Sequence, residues 1–405
     1  MPFEAPARRP PTLRQLFADF GLVYAANGLI GFIFAATGPV AIILSVGSAG
    51  GLSQSDLSSW IFGSFAVNGV LSIIACWYYR TPLVFFWTIP GTVLVGPALG
   101  HLSFPEVIGA FLATGLLMLV LGASGWVRRA MGALPMPIVM GMVAGVFMKF
   151  GIDLVLSLRD DFALAAPMTL VFVALTAVPA LARRVPPLIA AMVVGAVLVA
   201  VYGTFDPAGA SGDALVRPNL YAPQFSWQAM LELVLPLTIT VLVVQNGQGI
   251  AVLDAVGHKA PVNAVTIGCG AWSMITAMFG SVSTCLTGPT NALISSSGEK
   301  HRHYTGGVLV GLLAIAFGLF APLFTRLMLA SPPAFIATLA GLAMLRVLQT
   351  AFTVSFRDRF ALGALVAFLV TVANVPVFNI GAPFWGLVFG YLVSRLLERA
   401  DFAKG

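Results

Sequence analysis

The stretch RTPLVFFWTIPGTVLVG occupies residues 80–96, and the stretch GSVSTCLTGPTNALI occupies residues 280–294. Each interrupts a series of long apolar runs with residues that favour extended backbone, and each then reaches a proline, Pro90 or Pro289. Proline is well suited to the first turn of a helix. We therefore predict two half-helices that begin near the middle of a helical bundle, where the N–H groups of their first turns lack intrahelical partners.

The chain around these stretches has the composition of a membrane protein. Of 405 residues, 59% are hydrophobic and 9% are charged, whereas a soluble chain carries about 25% charged residues. This composition excludes a soluble enzyme. The net charge of +6 does not indicate nucleic-acid binding, because the basic residues fall in short clusters between apolar runs. At about 20 residues per span, the length suits roughly 12 to 14 transmembrane helices in a lipid bilayer.

The apolar runs predict twelve full spans. Their bounds are 14–46 with a break at Thr37-Gly38-Pro39, 55–79, 105–125, 134–158, 162–182, 185–203, 227–256, 262–280, 304–327, 332–353, 359–374 and 381–398. If each interrupted segment also crosses once, the fold is an all-α polytopic membrane protein with fourteen transmembrane segments. Crossings 3 and 10 are then the half-helix segments.

The basic residues agree with this count. Of the 21 Lys and Arg residues, three lie on the outer side (Arg159, Arg217 and Arg326) and two lie inside spans (Lys149 and Arg346). The remaining sixteen lie on the inner side: Arg8, Arg9, Arg14, Arg80, Arg128, Arg129, Arg183, Arg184, Lys259, Lys300, Arg302, Arg357, Arg359, Arg395, Arg399 and Lys404. The positive-inside rule therefore predicts fourteen crossings with both termini in the cytoplasm.

The two halves resemble each other. Thr88-Ile89-Pro90-Gly91 and Thr287-Gly288-Pro289-Thr290 are offset by 199 residues. Seven crossings per half is an odd number, so the second copy must be inverted, a pattern typical of secondary transporters. The predicted organisation is a cytoplasmic tail at 1–14, a first repeat at 15–203, an extracytoplasmic loop at 204–225, a second repeat at 226–398 and a cytoplasmic tail at 399–405.

Candidate site residues lie on four of the crossings. The positive ends of two opposed half-helices favour an anion, so we expect Gly91, Thr92, Thr290 and Asn291 to hold a carboxylate. Polar side chains at membrane depth usually face a bundle interior. Those in crossings 1 and 8 are Tyr24, Asn27, Gln245 and Asn246.

Other polar or reactive residues have simpler interpretations. Lys149 and Asp153 can form a pair at i,i+4, and the long stem of Arg346 is expected to reach toward the membrane surface. The three cysteines lie in apolar or small-residue segments, and no Walker loop or HExxH sequence occurs. We therefore expect no metal, no cofactor and no catalytic residues.

Several stretches resemble the benzoate:proton symporter (BenE) family, which is related in fold to the nucleobase and sulfate transporters with inverted repeats of seven crossings. The stretches are AGGLS (49–53), SSW (58–60), YRTP (79–82), WTIPG (87–91), EVIGAF (106–111), AG (144–145), FGID (150–153), QNGQGIAVL (245–253) and FWGL (384–387). They extend over most of the chain, from about residue 20 to residue 390. In this order they are fairly specific.

The resemblance implies an inner-membrane secondary transporter that imports a small aromatic carboxylate, most simply benzoate, with protons by alternating access. A core domain (crossings 1–4 and 8–11) would move against a gate domain (crossings 5–7 and 12–14), and a homodimer is compatible with this interpretation. Tyr24, Phe86 and Trp87 would pack the ring, while Gln245 and Asn246 supply polar contacts. Related nucleobase carriers have carboxylates at the site in crossings 8 and 10, whereas Gln245-Asn246 and Thr290-Asn291 are neutral here. The alternatives are a nucleobase or inorganic-anion transporter of the same fold, or an anion channel.

The resemblance implies proton coupling, but the sequence places no carboxylate near the middle of the membrane to carry the proton. The candidates are Glu106, Asp153, Glu232 and Asp254. Lys149 should keep Asp153 ionised, whereas Glu232 has no basic residue within one helical turn and lies on the crossing that carries Gln245 and Asn246. We therefore expect Glu232 to act as a proton relay.

Overall fold

The computed structural model describes residues 4–127, 135–178, 185–205, 212–375, 377–378 and 380–403. The described chain is predominantly helical. Parts of the predicted organisation lie outside the described residues. These are Arg128, Arg129, Arg183, Arg184, Lys404, the end of the predicted span 162–182 and part of the predicted loop 204–225.

The described part of the first half contains ten α-helices and one short strand. They are α1 (Leu13–Asp19), α2 (Leu22–Ala36), α3 (Gly38–Ala49), α4 (Gln54–Phe62), α5 (Asn68–Tyr79), β1 (Phe85–Trp87), α6 (Ile89–Leu99), α7 (Phe104–Ser124), α8 (Met136–Asp160), α9 (Phe162–Ala177) and α10 (Pro187–Tyr202). A π-helical segment, Gly63–Val67, joins α4 to α5.

The described part of the second half contains one short strand and eleven α-helices. They are α11 (Trp227–Ala229), α12 (Leu235–Ile239), α13 (Gly247–Ala255), α14 (Val262–Ala277), β2 (Thr284–Leu286), α15 (Gly288–Ile294), α16 (His303–Leu319), α17 (Ala321–Leu329), α18 (Pro333–Phe356), α19 (Ala361–Ala373), α20 (Ala382–Leu397) and α21 (Arg399–Ala403). The π-helical segments Met230–Val234 and Thr240–Asn246 join α11, α12 and α13 into one span.

Seven stretches of the described chain are long and apolar enough to cross a membrane. They are Leu22–Ala49, Gln54–Tyr79, Phe104–Ser124, Met136–Asp160, Trp227–Ala255, Lys300–Leu319 and Pro333–Phe356. The shorter apolar helices α6, α9, α10, α14, α19 and α20 accompany them. The protein is therefore a multi-pass, helical membrane protein, as the composition predicts.

Most predicted spans match a helix or a continuous set of helices, and two do not. The predicted span 14–46 is divided by extended backbone at Phe20 and Gly21, so α1 is separate from α2. The predicted span 304–327 is divided at Phe320, because Pro322 cannot donate the N–H that would continue α16. The π-helical segments within 227–255 have no signal in the apolar pattern.

The two interrupted segments pair as antiparallel strands that are buried in the bundle. β1 pairs antiparallel with β2, with Phe86 opposite Cys285. The ladder continues on both sides, because Thr88 N donates to Ser283 O at 2.9 Å and Thr287 N donates to Val84 O at 3.1 Å. Each strand then leads directly into a proline-started helix, α6 or α15, as predicted.

Buried side chains complete the hydrogen bonding of these strands. Phe85 N donates to Ser72 Oγ and Thr284 N donates to Ser273 Oγ, both at 2.9 Å. Such bonds are needed because an unpaired backbone N–H costs several kcal/mol in a membrane interior. The two serines lie on α5 and α14, which occupy corresponding positions in the two halves.

The helices form two groups. The strand-bearing group contains α2 to α7, the span 227–255 and α14 to α17, and the flanking group contains α8, α9, α10, α18, α19 and α20. Within the flanking group, α8 approaches α19 closely at Gly141, where a Cβ would meet the backbone of Ala364. The two groups touch where α3 meets α18, and Gly38 packs there against Ala343.

Candidate functional site

A cavity of about 740 Å³ lies between the two helix groups. The strand-bearing group contributes residues around both half-helix starts and the middle of the span 227–255. The flanking group contributes the first half of α8, the end of α9, the start of α10 and the second half of α18. The cavity therefore adjoins both interrupted segments, at the surface where the groups meet.

One wall of the cavity is aromatic. Phe86 and Trp87 of β1 are each only 3% exposed and line the cavity, next to Ile89 and Pro90 at the start of α6. Phe34, Phe147 and Phe172 add rings from α2, α8 and α9. A planar apolar group would be well packed against this wall, because aromatic rings stack or meet edge to face at short range.

Polar side chains also line the cavity. Gln245 and Gln248 from the span 227–255 line it, with Thr287 and Thr290 from the start of α15. Gln248 packs against Gly288, where a Cβ would lie 2.7 Å from its Cγ. These amide and hydroxyl groups can donate hydrogen bonds into the cavity.

Arg346 is the charged residue among the described residues that line this cavity. It lies on α18, and its Nη1 donates to Gln349 Oε1 at 3.0 Å. The sequence interpretation directed this side chain toward the membrane surface; Arg346 is exposed in the structure and also lines the cavity. One signal was present: Lys149 has Asp153 one turn away, whereas Arg346 has no acidic residue at i±3 or i±4. A cation without a local partner is available to an anionic ligand.

Two predicted site residues hold the strands instead of lining the cavity. Asn291 Nδ2 donates to Val84 O at 3.2 Å, and its Oδ1 accepts from Val84 N at 3.0 Å. Asn246 Oδ1 accepts from Leu286 N at 2.8 Å. Both amides are buried and act as extra strand partners. Their part in the structure is to satisfy the edges of β1 and β2.

Gly91 and Thr92 lie in the first turn of α6 and are buried away from the cavity. Gly91 N donates to Thr88 Oγ1 at 3.1 Å, so this helix start is capped by its own chain. Thr92 Oγ1 donates to Thr88 O at 3.0 Å. These groups are therefore satisfied internally, and a ligand at α6 would meet Pro90 and Ile89 first.

Tyr24 and Asn27 connect α2 to the chain after α15. Asn27 Nδ2 donates to Ser297 Oγ at 3.0 Å, and Glu299 N donates to Tyr24 Oη at 2.8 Å. Neither residue lines the cavity. Of the ten predicted binding residues, the structure brings together four at the cavity: Phe86, Trp87, Gln245 and Thr290.

The chain matches a known protein family and two known relatives over nearly its whole length. Residues 18–396 match the BenE family, described as benzoate membrane transport protein. The chain belongs to this family. Inner membrane protein YdcO of Escherichia coli K12 is 30% identical over 398 residues, covering 96% of this chain and 97% of that protein. The benzoate membrane transport protein of Acinetobacter baylyi is 25% identical over 392 residues, covering 95% of this chain and 98% of that protein.

Solved structures share the fold of this BenE-family chain. The transmembrane domain of the cyanobacterial bicarbonate transporter BicA aligns with a TM-score of 0.57 at 16% identity, covering 95% of this chain and 99% of that one. SLC26A9 aligns with a TM-score of 0.65 at 13% identity, covering 95% of this chain and 67% of that one. The family and these neighbours are membrane transporters and not enzymes, so this chain is a membrane transporter.

The four proton-coupling candidates of the BenE-family chain have different surroundings. Glu106 caps the start of α7, accepting from Ser103 N at 2.9 Å, and Asp254 is exposed at the end of α13. Asp153 pairs with Lys149 at 2.8 Å, as predicted. Glu232 is 4% exposed, and its Oε2 lies 2.9 Å from His101 Nε2. Sequence reasoning missed this histidine, because His101 lies in the loop after α6 and is 131 residues from Glu232 in the chain.

Proposed function

We propose that this protein is a secondary active transporter that imports a small aromatic carboxylate, most simply benzoate, together with protons. The observation that carries the proposal is one cavity with an aromatic wall at Phe86 and Trp87 and a lone lining cation at Arg346. A benzoate-like ligand has the complementary pair of features, a flat apolar ring and a carboxylate. A guanidinium can bind a carboxylate through two parallel hydrogen bonds.

Polar donors in the same cavity lining as Arg346 support the choice of an anion. Gln245, Gln248 and Thr290 can donate to a carboxylate, and the described lining contains no acidic side chain that would repel it. A nucleobase is neutral and would form no ion pair with Arg346, whereas a carboxylate would. An inorganic anion would make no use of the aromatic wall. The site therefore favours an aromatic carboxylate over these two alternatives.

Fourteen crossings in two inverted repeats are also part of the proposal. Seven long apolar stretches, six shorter apolar helices and α15 together provide fourteen segments. The bonds from Phe85 to Ser72 and from Thr284 to Ser273 connect equivalent elements at offsets of 199 and 201 residues. We assign 15–203 and 226–398 as the repeats, joined by the outer loop 204–225, with tails at 1–14 and 399–405.

Alternating access follows from the two helix groups. We assign the strand-bearing group as the core domain and the flanking group as the gate domain, with substrate held between them. The cavity follows α13 as far as Ala251 and α18 as far as Val354. The positive-inside rule assigns these helix ends, and both chain termini, to the cytoplasm. On this assignment the structure represents the inward-facing state.

The proton is assigned to the pair formed by Glu232 and His101. Glu232 belongs to the core domain, and its carboxylate packs so closely against Gly381 that no Cβ would fit there. Gly381 begins α20 of the gate domain. Movement between the domains would therefore change the surroundings of this carboxylate, and a change in burial alters the proton affinity of a carboxyl group. Glu106, Asp153 and Asp254 have no such contact among the described residues.

A proteoliposome uptake assay tests the function. Labelled benzoate, uracil and bicarbonate would be compared with and without an inward proton gradient. We expect saturable benzoate uptake that accumulates only with the gradient. Preferential uptake of uracil or bicarbonate would overturn the substrate assignment, and flux that never saturates would indicate a channel.

The coupling pair is tested in the same vesicles. We expect Glu232→Gln to lose gradient-driven accumulation while keeping benzoate exchange at equal pH, because exchange needs no net proton movement. Asp254→Gln is the matched control, since it removes an exposed carboxylate from the same span. Full accumulation by Glu232→Gln would reject the assignment without affecting the choice of substrate.

A further inference from the structure

A second cavity, of about 500 Å³, lies at the end of the bundle where α5 and α13 finish. Its lining carries six basic side chains: Arg8, Arg80, His258, Lys259, Lys300 and His301. No acidic side chain is among its lining residues in the described part of the chain. We call this cavity the basic pocket. It is separate from the cavity between the two helix groups, and no residue lines both.

The N-terminal segment forms one wall of the basic pocket. The Glu4 carboxylate accepts from Asn263 N at 3.0 Å and from Ala264 N at 2.9 Å, where it caps the start of α14. Tyr79 Oη donates to Glu4 O at 2.9 Å, and Trp77 Nε1 donates to Pro11 O at 2.7 Å. Four hydrogen bonds thus hold residues 4–11 against the bundle. Arg8 lies between these anchors and is kept at the pocket.

The positive charge of the basic pocket is only partly compensated. Arg80 pairs with Asp19 at 3.0 Å, and His301 lies 3.5 Å from Glu299. Lys300 donates to the backbone oxygen of Gly257, which carries no charge. Arg8 and Lys259 have no ion-pair partner among the described residues. Three fixed positive charges therefore remain around one concave surface.

His258 shows the effect of this environment. Burial lowers the pKa of His258 to about 4, with further lowering by the nearby His303 and Lys300. The ring is therefore neutral at physiological pH, and His258 Nε2 lies 3.2 Å from His303 Nδ1. His258 adds no charge to the pocket. A bound anion would therefore be stabilised by the three remaining cations, Arg8, Lys259 and Lys300.

An exposed apolar stripe on α5 leads to the basic pocket. Its members Val70, Ile74, Trp77 and Tyr78 share one helix face and are each between 39% and 47% exposed. The stripe is about 12 Å long at 1.5 Å per residue. It ends next to Tyr79 and Arg80, which line the pocket. A ligand in the pocket would therefore also meet the surface that α5 presents to lipid.

We propose that the basic pocket binds the phosphate headgroup of one anionic phospholipid, whose acyl chain lies along the stripe on α5. Basic pockets at the cytoplasmic ends of membrane helices suit such headgroups. A free phosphate would use the same cations but not the stripe, so the stripe favours the lipid. Aromatic residues such as Trp77 and Tyr78 are typical of the membrane–water interface, where a headgroup is found.

Native mass spectrometry of the full-length protein, released from nanodiscs of phosphatidylglycerol and phosphatidylcholine, tests the proposal. The test variant is Arg8→Gln with Lys259→Gln. The control variant is Arg357→Gln with Arg399→Gln, which removes the same charge from exposed residues outside the pocket. Each cation near a headgroup contributes about 1 kcal/mol, so the test variant should bind phosphatidylglycerol roughly 30-fold more weakly. The control should stay within about twofold of wild type.

Two further arms separate the sources of phosphate. Glycerol phosphate and inorganic phosphate, added at millimolar concentration, should not displace phosphatidylglycerol, because neither contacts the stripe. Displacement by either would identify a site for soluble phosphate and overturn the lipid proposal. Equal retention of phosphatidylcholine, or an equal loss in the control variant, would overturn it as well.

A single variant guards against misfolding. Thermal unfolding of each variant is measured in the same nanodiscs. If the double variant unfolds early, Lys259→Gln alone should still weaken phosphatidylglycerol binding about fivefold, while Lys259→Arg should restore it. Unchanged binding by a folded Lys259→Gln variant contradicts the proposal.

Discussion

The two interrupted segments share a backbone plan but differ in the chemistry of their helix starts. In the first, Thr88 caps the 11-residue helix α6 by accepting from Gly91 N. In the second, Thr287 makes no such cap on the seven-residue helix α15, and its hydroxyl points instead toward Thr290 Oγ1 at 3.5 Å. The repeated backbone thus fixes where the two segments meet, while side chains decide what each offers to the cavity.

The difference extends along the cavity walls. The first segment contributes Phe86, Trp87 and Pro90, which are apolar or nearly so, whereas the second contributes Thr287 and Thr290. The start of α15 packs against the Gln248 side chain at Gly288, and Gln245 also lines the cavity. We therefore assign the ring of the proposed substrate to the first segment and its carboxylate to the second. Variants matched between the halves can test this division.

The largest effect is expected from Arg346→Gln, which removes the cation from the cavity lining. A hydrogen bond to a charged group contributes about 1.5 to 3 kcal/mol, so benzoate should bind roughly 10- to 150-fold more weakly. Calorimetric titration of purified protein measures this. Arg357→Gln, on the exposed end of the same helix, should leave the affinity unchanged. Equal affinities of the wild type, Arg346→Gln and Arg357→Gln would show that the carboxylate does not bind Arg346.

The sequence predicted the bundle well, because the signals for membrane helices are local. Apolar runs predicted most helices of the described chain, and Pro90 and Pro289 predicted the starts of α6 and α15. The site was predicted less well. Asn246 and Asn291 are polar residues at membrane depth, as a ligand site requires, yet their amides bind the strand edges at Leu286 and Val84. The sequence carries no mark that separates an amide that holds a strand from one that holds a ligand.

The next effect compares the glycines at the two helix starts. A Cβ at Gly91 would collide with the Thr88 side chain and lie 2.9 Å from Leu237 Cδ2, so Gly91→Ala should disturb the cap and the packing. Overpacking of this kind costs about 1 to 3 kcal/mol. A Cβ at Gly288 meets only the flexible Gln248 side chain, so Gly288→Ala should displace an amide from the cavity.

The two alanine variants should therefore differ in kind. Gly91→Ala should lower the thermal unfolding temperature, whereas Gly288→Ala should weaken benzoate binding about fivefold, the effect of one neutral hydrogen bond, with little change in stability. Both quantities are measured on the same purified proteins. Similar losses of stability in both variants would contradict the assignment of the carboxylate to the second segment.

A smaller effect is expected where the halves are alike. Ser72 and Ser273 are both buried, and each accepts one strand N–H at 2.9 Å. Ser72→Ala and Ser273→Ala should each lower stability by about 1 to 3 kcal/mol, because each leaves a buried N–H without a partner. Denaturation in detergent, with Ser296→Ala as the exposed control, measures the two losses. Unequal losses would show that the repeats have diverged in their scaffold as well as in their cavity walls.

The smallest effect comes from the two threonine hydroxyls that distinguish the helix starts. Thr88→Val keeps the side-chain shape but removes the cap of α6, which should cost about 1 kcal/mol of stability with little change in benzoate affinity. Thr290→Val removes a hydroxyl from the cavity and should weaken benzoate binding about twofold to threefold at nearly constant stability, the lower end of the effect of a neutral hydrogen bond. Unfolding midpoints and calorimetric affinities would be measured for both variants. If Thr88→Val weakens binding more than Thr290→Val, the carboxylate lies at the first helix start, and the division between the two segments is reversed. The expected pattern would mean that two segments with the same backbone plan serve two ends of one ligand, because Thr88 caps the first helix start and no side chain caps the second.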